Sequence, residues 1–371
     1  MPELFSRDQT QISVIVKGQV YQGWLQSEVE RNLEAICGTF SIPVALTPGF
    51  PPAIKRQDEV QVKIGDAVVI TGHVLAAEPF YRRGDCGMRI TGRDRTGDLV
   101  RCSAVHKGGQ WRGAKLDRIA RDLVEPFGIA VVADVDLGAA IADFKLSHGE
   151  TVLEALSRAA RLRGVLVTRD DAGRLLLTKA GKERFEGVVR IGYNVIEMQG
   201  VGSDEQRHSH YIAYGQSNYE SLNDFDASRS LKATAKDPEI SRYQPLVINA
   251  DGNRTQAELQ ALVDHTVRVR RGHAIGFKYT VEGWTFKGKP WPLNQRVAVF
   301  DEIAGFAGEE LLIAGVRQTC DLKEGDVTEL LLRPVEAYDT VPLKTLPKHR
   351  NWGNKGNTTN HPPSAPRGSA R

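Results

Sequence analysis

The sequence predicts a mainly β fold with an α+β part: two similar small antiparallel β-barrels and, between them, a compact α+β domain. Three observations carry this expectation. Residues 57–104 spell out short strands, with Val60, Val62 and Ile64 alternating with Gln61 and Lys63, then a Gly65-Asp66 turn and the β-branched return Val68-Val69-Ile70. The stretch recurs: VVITGHVLAAEP at 68–79 is echoed by LLIAGVRQTCDL at 311–322, and Val60-Gln61-Val62 by Val297-Ala298-Val299. Solenoids repeat every ~20–50 residues, so one echo over so long an interval points to two barrels of one design. Between the copies the apolar period changes from two to that of a helix, which marks the α+β part.

Taken in order, Ile12, Val14 and Val16 alternate, Lys17-Gly18-Gln19 turns, and Val20-Tyr21 leads to Gly23-Trp24. Val29, Arg31 and Leu33 share one parity, as do Phe40, Ile42, Val44 and Leu46, where Pro43 predicts an edge or a bulge. Pro48-Gly49-Phe50-Pro51-Pro52 reads as a rigid loop. Gly72 marks a bulge or a close backbone approach, and Arg83-Gly84-Asp85 turns the chain before Met88 and Ile90. The run from Gly92 to Val100 reads as an exposed turn holding two glycines and two aspartates.

Leu116, Ile119, Ala120, Leu123 and Val124 then stripe one helix face, stopped by Pro126. A short strand at 129–132 follows, and Ser147 to Glu150 matches a capping box ahead of Val152, Leu153, Leu156, Ala159 and Ala160. That second helix ends at Gly164, and strands 165–167 and 175–177 flank the hairpin turn Asp170-Asp171-Ala172-Gly173. Beyond Tyr193, Tyr211, Ala213 and Gly215 share a strand parity, and 217–241 is polar and reads as a loop. Asn253 is the expected cap of a third helix, with Leu259, Leu262, Val263, Thr266 and Val267 on its face and Arg268, Arg270 and Arg271 in its last turn. Strands at 277–281, 297–300, 311–316 and 328–332 close the series. The expected domains are therefore a first barrel at 1–104, an α+β domain at 105–190 and a second barrel at 191–340. An insertion at 217–241 and a basic disordered tail at 341–371 complete the division.

Length and composition agree with this plan. The 371 residues suffice for two or three domains of ~100–200 residues, and 41% hydrophobic with 26% charged content is that of a globular chain. No run reaches the ~18 apolar residues of a membrane span, and MPELFSRDQTQ lacks a basic-then-apolar leader pattern, so a cytosolic site of synthesis and residence is expected. Cys37, Cys86, Cys102 and Cys320 are widely spaced and read as reduced thiols rather than zinc ligands or a disulfide frame. The net charge of +3 is a property of the end of the chain: Lys344 to Arg371 carries six cations and no anion, which leaves −3 on the body. A body of that charge is not an electrostatic nucleic-acid binder.

Motifs for catalysis are broken or unsupported. Gly283-Trp284-Thr285-Phe286-Lys287-Gly288-Lys289-Pro290 approaches a P-loop, but Pro290 replaces the magnesium-binding hydroxyl and the flanks read as strand. His208 and His210 share a strand face without a third ligand in reach, and Asp170-Asp171 and Glu309-Glu310 fall in turns. No GxSxG elbow or HExxH pair occurs. The reading is a chain without catalytic, cofactor or metal residues.

Gly23-Trp24 followed by Gly38-Thr39-Phe40, the runs QVKIGDAVVITGHV and GRDRTGDLVRCSA, and Trp291-Pro292-Leu293-Asn294 ahead of Val297-Ala298-Val299 together resemble the central baseplate hub proteins of Mu-like contractile-tail phages, the late control D-like family. The resemblance spans about residues 1–340. It implies two barrels per subunit and a homotrimeric ring on the tail axis, a late virion component assembled in the host cytoplasm. The implied partners are a second and third copy, the membrane-piercing central spike, the tail tube and other baseplate proteins. Ejected DNA would pass through the channel without specific binding, and no membrane insertion is implied. The alternative is a tail-associated, peptidoglycan-cutting hydrolase or a secretion-system spike base on the same barrels. In the tail, Lys348, Arg350, Trp352 and Lys355 form an aromatic flanked by cations, the residue types of interface anchors, and are the candidate partner-docking residues.

Overall fold

The computed structural model describes residues 12–22, 26–45, 54–83, 85–216, 231–253, 255–321 and 325–338. The expectations for Gly23-Trp24, Leu46, the 48–52 loop, Gly84, residues 217–230 and the 341–371 tail, with Lys348, Arg350, Trp352 and Lys355, lie outside the described residues.

Thirteen strands join into one sheet, and within it two sets share a design. In the first, Glu59–Ile64, Ala67–Arg82 and Asp85–Asp94 form an antiparallel meander, extended by Ile12–Val16 at one side and by Thr39–Ala45 and then Ser27–Asn32 at the other. The alternation read from the sequence is the burial pattern: Val60, Val62, Ile64, Ile12, Val14 and Val16 all face one apolar core. In the second set Gln295–Asp301, Phe306–Asp321 and Gly325–Arg333 repeat the meander, and its middle strand has 16 residues in both copies. Phe277–Glu282 and then Val195–Gly200 extend it around a core that includes Tyr279, Trp291, Val297, Ile313 and Leu330.

The two sets meet on the strand Phe306–Asp321. Its first part pairs with Gln295–Asp301, up to Leu312, and its second part pairs with Ser27–Asn32, from Gly315 to Cys320. A single strand thus belongs to both cores. Pro43 needs no bulge: Ser27–Asn32 pairs with Thr39–Ala45 only up to Ser41, so the proline stands where that edge is free.

The α+β part packs helices Leu116–Val124 and Val152–Arg161 against two small sheets, around Leu116, Ile119, Leu156, Leu175 and Leu177. The cap of the second helix differs from the expected one: Thr151 and Glu154 form the capping box, four residues past Ser147 and Glu150. The strand Glu183–Arg190, expected inside the 105–190 domain, instead runs parallel to Gln295–Asp301 and adds Phe185 and Val189 to the second core. Its apolar parity serves either neighbour, and the long-range pairing decides.

A further lobe departs from the expected loop at 217–241. Leu231–Lys236 is a strand paired with His210–Gln216, which also runs parallel to Pro245–Asn253. The helix Gln256–Ala274 covers one face of this sheet through Leu259, Val263 and Val267, and its cap is Thr255 with Glu258, not Asn253. No helix among the described residues is long and apolar enough to cross a membrane.

Candidate functional site

The feature that ties the parts together is a buried cluster of charges. Arg31 stands on the inward parity of its strand beside Val29 and is 1% exposed. Its Nη2 donates to the Trp291 carbonyl at 2.7 Å and to Gln318 Oε1 at 3.3 Å, and its Nη1 reaches Asp171 Oδ1 at 3.3 Å. Beside it Arg169 Nε meets Asp94 Oδ2 at 2.6 Å, with both side chains closed to solvent. Asp94 Oδ1 also accepts from the Thr96 N–H at 2.9 Å and the Thr96 hydroxyl at 2.5 Å, and Oδ2 accepts from the Gly38 N–H. A Cβ at residue 38 would come within 2.5 Å of Arg169 Nη2, so a side chain there would have to displace the guanidinium.

The cluster therefore joins the first strand set (Arg31, Asp94), the α+β hairpin (Arg169, Asp171) and the second strand set (Trp291, Gln318). Burial lowers the Arg31 guanidinium and the neighbouring Arg169 adds to this, while Asp171 opposes it. Burial pushes the Asp94 carboxyl up, against the pull of Arg169, Thr96 and Gly38. Such a network fixes relative position more than it adds net stability, because desolvation offsets much of the attraction. The run from Gly92 to Val100 is thus no exposed turn: Asp94 and Thr96 are buried, and Gly97–Arg101 is a short helix.

The charged groups that the sequence motifs single out also have structural partners, as does Arg207. In the inserted lobe burial opposes the charge on Arg207, yet Glu239, Asp237 and Asp204 raise it well above its ordinary value. Asp170 pairs with Arg174, and Glu310 pairs with Arg184 and Arg296. His208 Nδ1 lies 3.1 Å from the Gln206 carbonyl, and His210 Nδ1 lies 2.9 Å from Ser209 Oγ. No group of three or more potential metal ligands occurs among the described residues. The near P-loop is a hairpin, Thr285–Phe286 with Lys289–Pro290, turned by Lys287 and Gly288 at positive φ. Lys289 spends its charge on Glu186 at 3.0 Å. What this chemistry can do is hold parts in register.

The fold places the chain among phage tail proteins. It matches the 43 kDa tail protein of prophage MuSo2 from Shewanella oneidensis with a TM-score of 0.77 and 32% identity, over 89% of this chain and 100% of that one. It also shares the fold of the tail protein from Neisseria meningitidis MC58, at a TM-score of 0.76 and 22% identity over 88% and 98% of the two chains. Within that class the chain belongs to the family of the baseplate hub protein gp44 of Escherichia phage Mu, to which it is 32% identical over 351 residues, 92% of each chain. Residues 96–179 match the second domain of gp44-like baseplate hub proteins, and residues 11–94 match the N-terminal domain of Mu phage baseplate assembly protein GpP-like chains. The chain is accordingly a structural component of a tail baseplate.

Proposed function

We propose that the protein is the central hub of a contractile-tail baseplate. Three copies close head to tail into a ring on the tail axis, with the spike below, the tube above and a channel through which DNA leaves without specific binding. The observation that carries this reading is the repeated meander, 59–94 and 295–333, each around its own core. If each set closes as a small barrel, three chains present six like units, and a heterologous contact of first barrel on second can close the ring. Such a ring adapts a three-fold spike to a six-fold tube, the arrangement implied by the family. The hub acts without catalysis or cofactor and assembles in the host cytoplasm as a late product. The basic segment with Lys348, Arg350, Trp352 and Lys355 serves as a charge-steered arm for a baseplate partner.

Size-exclusion chromatography with light scattering tests the reading. The expected mass is three times that of the 40.9 kDa chain. A monomer at every concentration up to ~100 μM, far above the range of specific assembly, would overturn it.

A further inference from the structure

The large exposed hydrophobics are gathered, not scattered. Seven of the eleven among the described residues fall on two surfaces: Tyr214, Tyr243 and Val247 on the inserted lobe, and Ile191, Tyr193, Ile196 and Ile303 at one end of the second strand set. Single exposed apolar residues need no explanation, whereas clusters of this kind mark contact sites.

The first surface is the face of the small sheet turned away from its helix. Tyr211 and Ala213 point to the helix and are buried, so the alternate residues Ile212 and Tyr214 point outward. Val247 stands beside Ile212 in register, and Lys232 stands opposite Tyr214, with its Nζ 5.8 Å from the ring centroid. Tyr243 packs edge-on against His210 at 5.5 Å. The charges on and beside this face are Lys232, Lys236 and Arg242, none of which has an ion pair among the described residues. Among the described residues the surface is apolar in the middle and its unpaired charges are basic.

The second surface has the opposite charge. Ile191 follows the end of the parallel pair Arg190 and Phe300, and its N–H donates to the Phe300 carbonyl at 3.1 Å. Ile303 lies in the adjacent turn, which buried Asp301 holds by accepting from the Ile303 and Ala304 N–H groups at 2.8 and 2.9 Å. Ile196 is the extra residue of a bulge, pushed out of the pairing between Val195–Gly200 and Phe277–Glu282. Exposed Glu197, Glu282 and Glu302 have no ion pair among the described residues; of the cations here, Lys278, which lines a cleft with Ile196 and Glu197, is neutralised by Glu329 at 3.3 Å, and Arg190 lies over the Phe300 ring at 4.3 Å.

We infer that these two surfaces are partners: the basic, aromatic face of the inserted lobe of one copy docks on the acidic, apolar end of the second strand set in the next copy. Unlike surfaces on the same chain, complementary in charge and both apolar at the centre, define a head-to-tail contact, the type that closes into rings. The inference rests on the trimeric reading and adds, beside its barrel-on-barrel contact, a second contact between adjacent copies at named residues.

Charge reversal of the full chain tests it, read as the concentration at which the trimer dissociates. Lys232→Glu with Lys236→Glu is expected to raise that concentration about tenfold or more at low salt, and so is Glu197→Lys with Glu302→Lys. The four changes together are expected to restore it to within about threefold, since each reversed charge again faces its opposite. Thermal melting checks that each variant is folded. Should a variant fail that check, the pair Val247→Cys and Ile303→Cys is expected to give disulfide-linked dimers and trimers on oxidation, which neither single variant gives. An unchanged dissociation concentration, an additive loss without rescue or the absence of the crosslink would overturn the contact. So would an intact trimer whose basic face had lost only a different baseplate protein. A wild-type chain that is monomeric throughout would instead overturn the trimeric reading, and the two failures are distinct.

Discussion

At the scale of single residues the decisive group is Asp94. It is closed to solvent and balances Arg169, which is equally buried. Removing one member of such a pair leaves the other charge without compensation, and that costs about 3–5 kcal/mol. Asp94→Asn is therefore expected to lower unfolding stability by about that amount, whereas Glu186→Gln, at an exposed carboxylate paired with exposed Lys289, is expected to cost no more than about 1 kcal/mol. Urea denaturation of the two variants beside the wild type checks the order. Equal losses would mean that the cluster does not act as a buried unit. Little of this was legible in the sequence. Arg31 on the parity of Val29 was the one hint of a buried cation, and the run GRDRTGD has the composition of a solvated turn. Its burial depends on Arg169, which meets it only once the α+β hairpin has docked.

At the scale of elements, the sequence echo is real but its two glycines serve different ends. A Cβ on Gly72 would fall 1.9 Å from the Arg93 carbonyl oxygen, a backbone atom that cannot swing away, whereas one on Gly315 would meet Leu331 Cβ at 3.2 Å. Gly72→Ala is expected to destabilise by about 3 kcal/mol or more, and Gly315→Ala by no more than about 1 kcal/mol. Chemical denaturation separates these outcomes, and equal losses would contradict the backbone contact. The strands were legible because each buries one face, and alternation at Val60, Val62 and Ile64 is a local signal. The lobe was not. Leu231–Lys236 turns Leu231, Ala233 and Ala235 inward, and its two alanines are too small to stand out between two lysines and a threonine. The helix caps were misplaced for a related reason, since Ser147 with Glu150 and Thr151 with Glu154 both satisfy the same spacing and only packing chooses between them.

At the scale of the whole molecule, the proposed arm and the proposed ring are expected to be separable. Residues 344–371 carry six cations and no anion, a composition that suits a charge-steered docking element. Truncation after Leu346 is expected to leave the trimer and its melting temperature unchanged and to weaken capture of a baseplate partner, more so at low salt, where screening is least. Loss of the trimer on truncation would make the segment part of the ring. The shared strand Phe306–Asp321 has a different kind of consequence, one of timing during synthesis. Its Arg317 bonds to Glu28, 289 positions earlier, so the strand Ser27–Asn32 gains its second neighbour only when nearly all of the chain has been made. At ~5–20 residues per second the ribosome needs roughly 15–60 s to cover that interval. For that time each nascent chain carries an open strand edge, and on a polysome the neighbouring chains carry the same one.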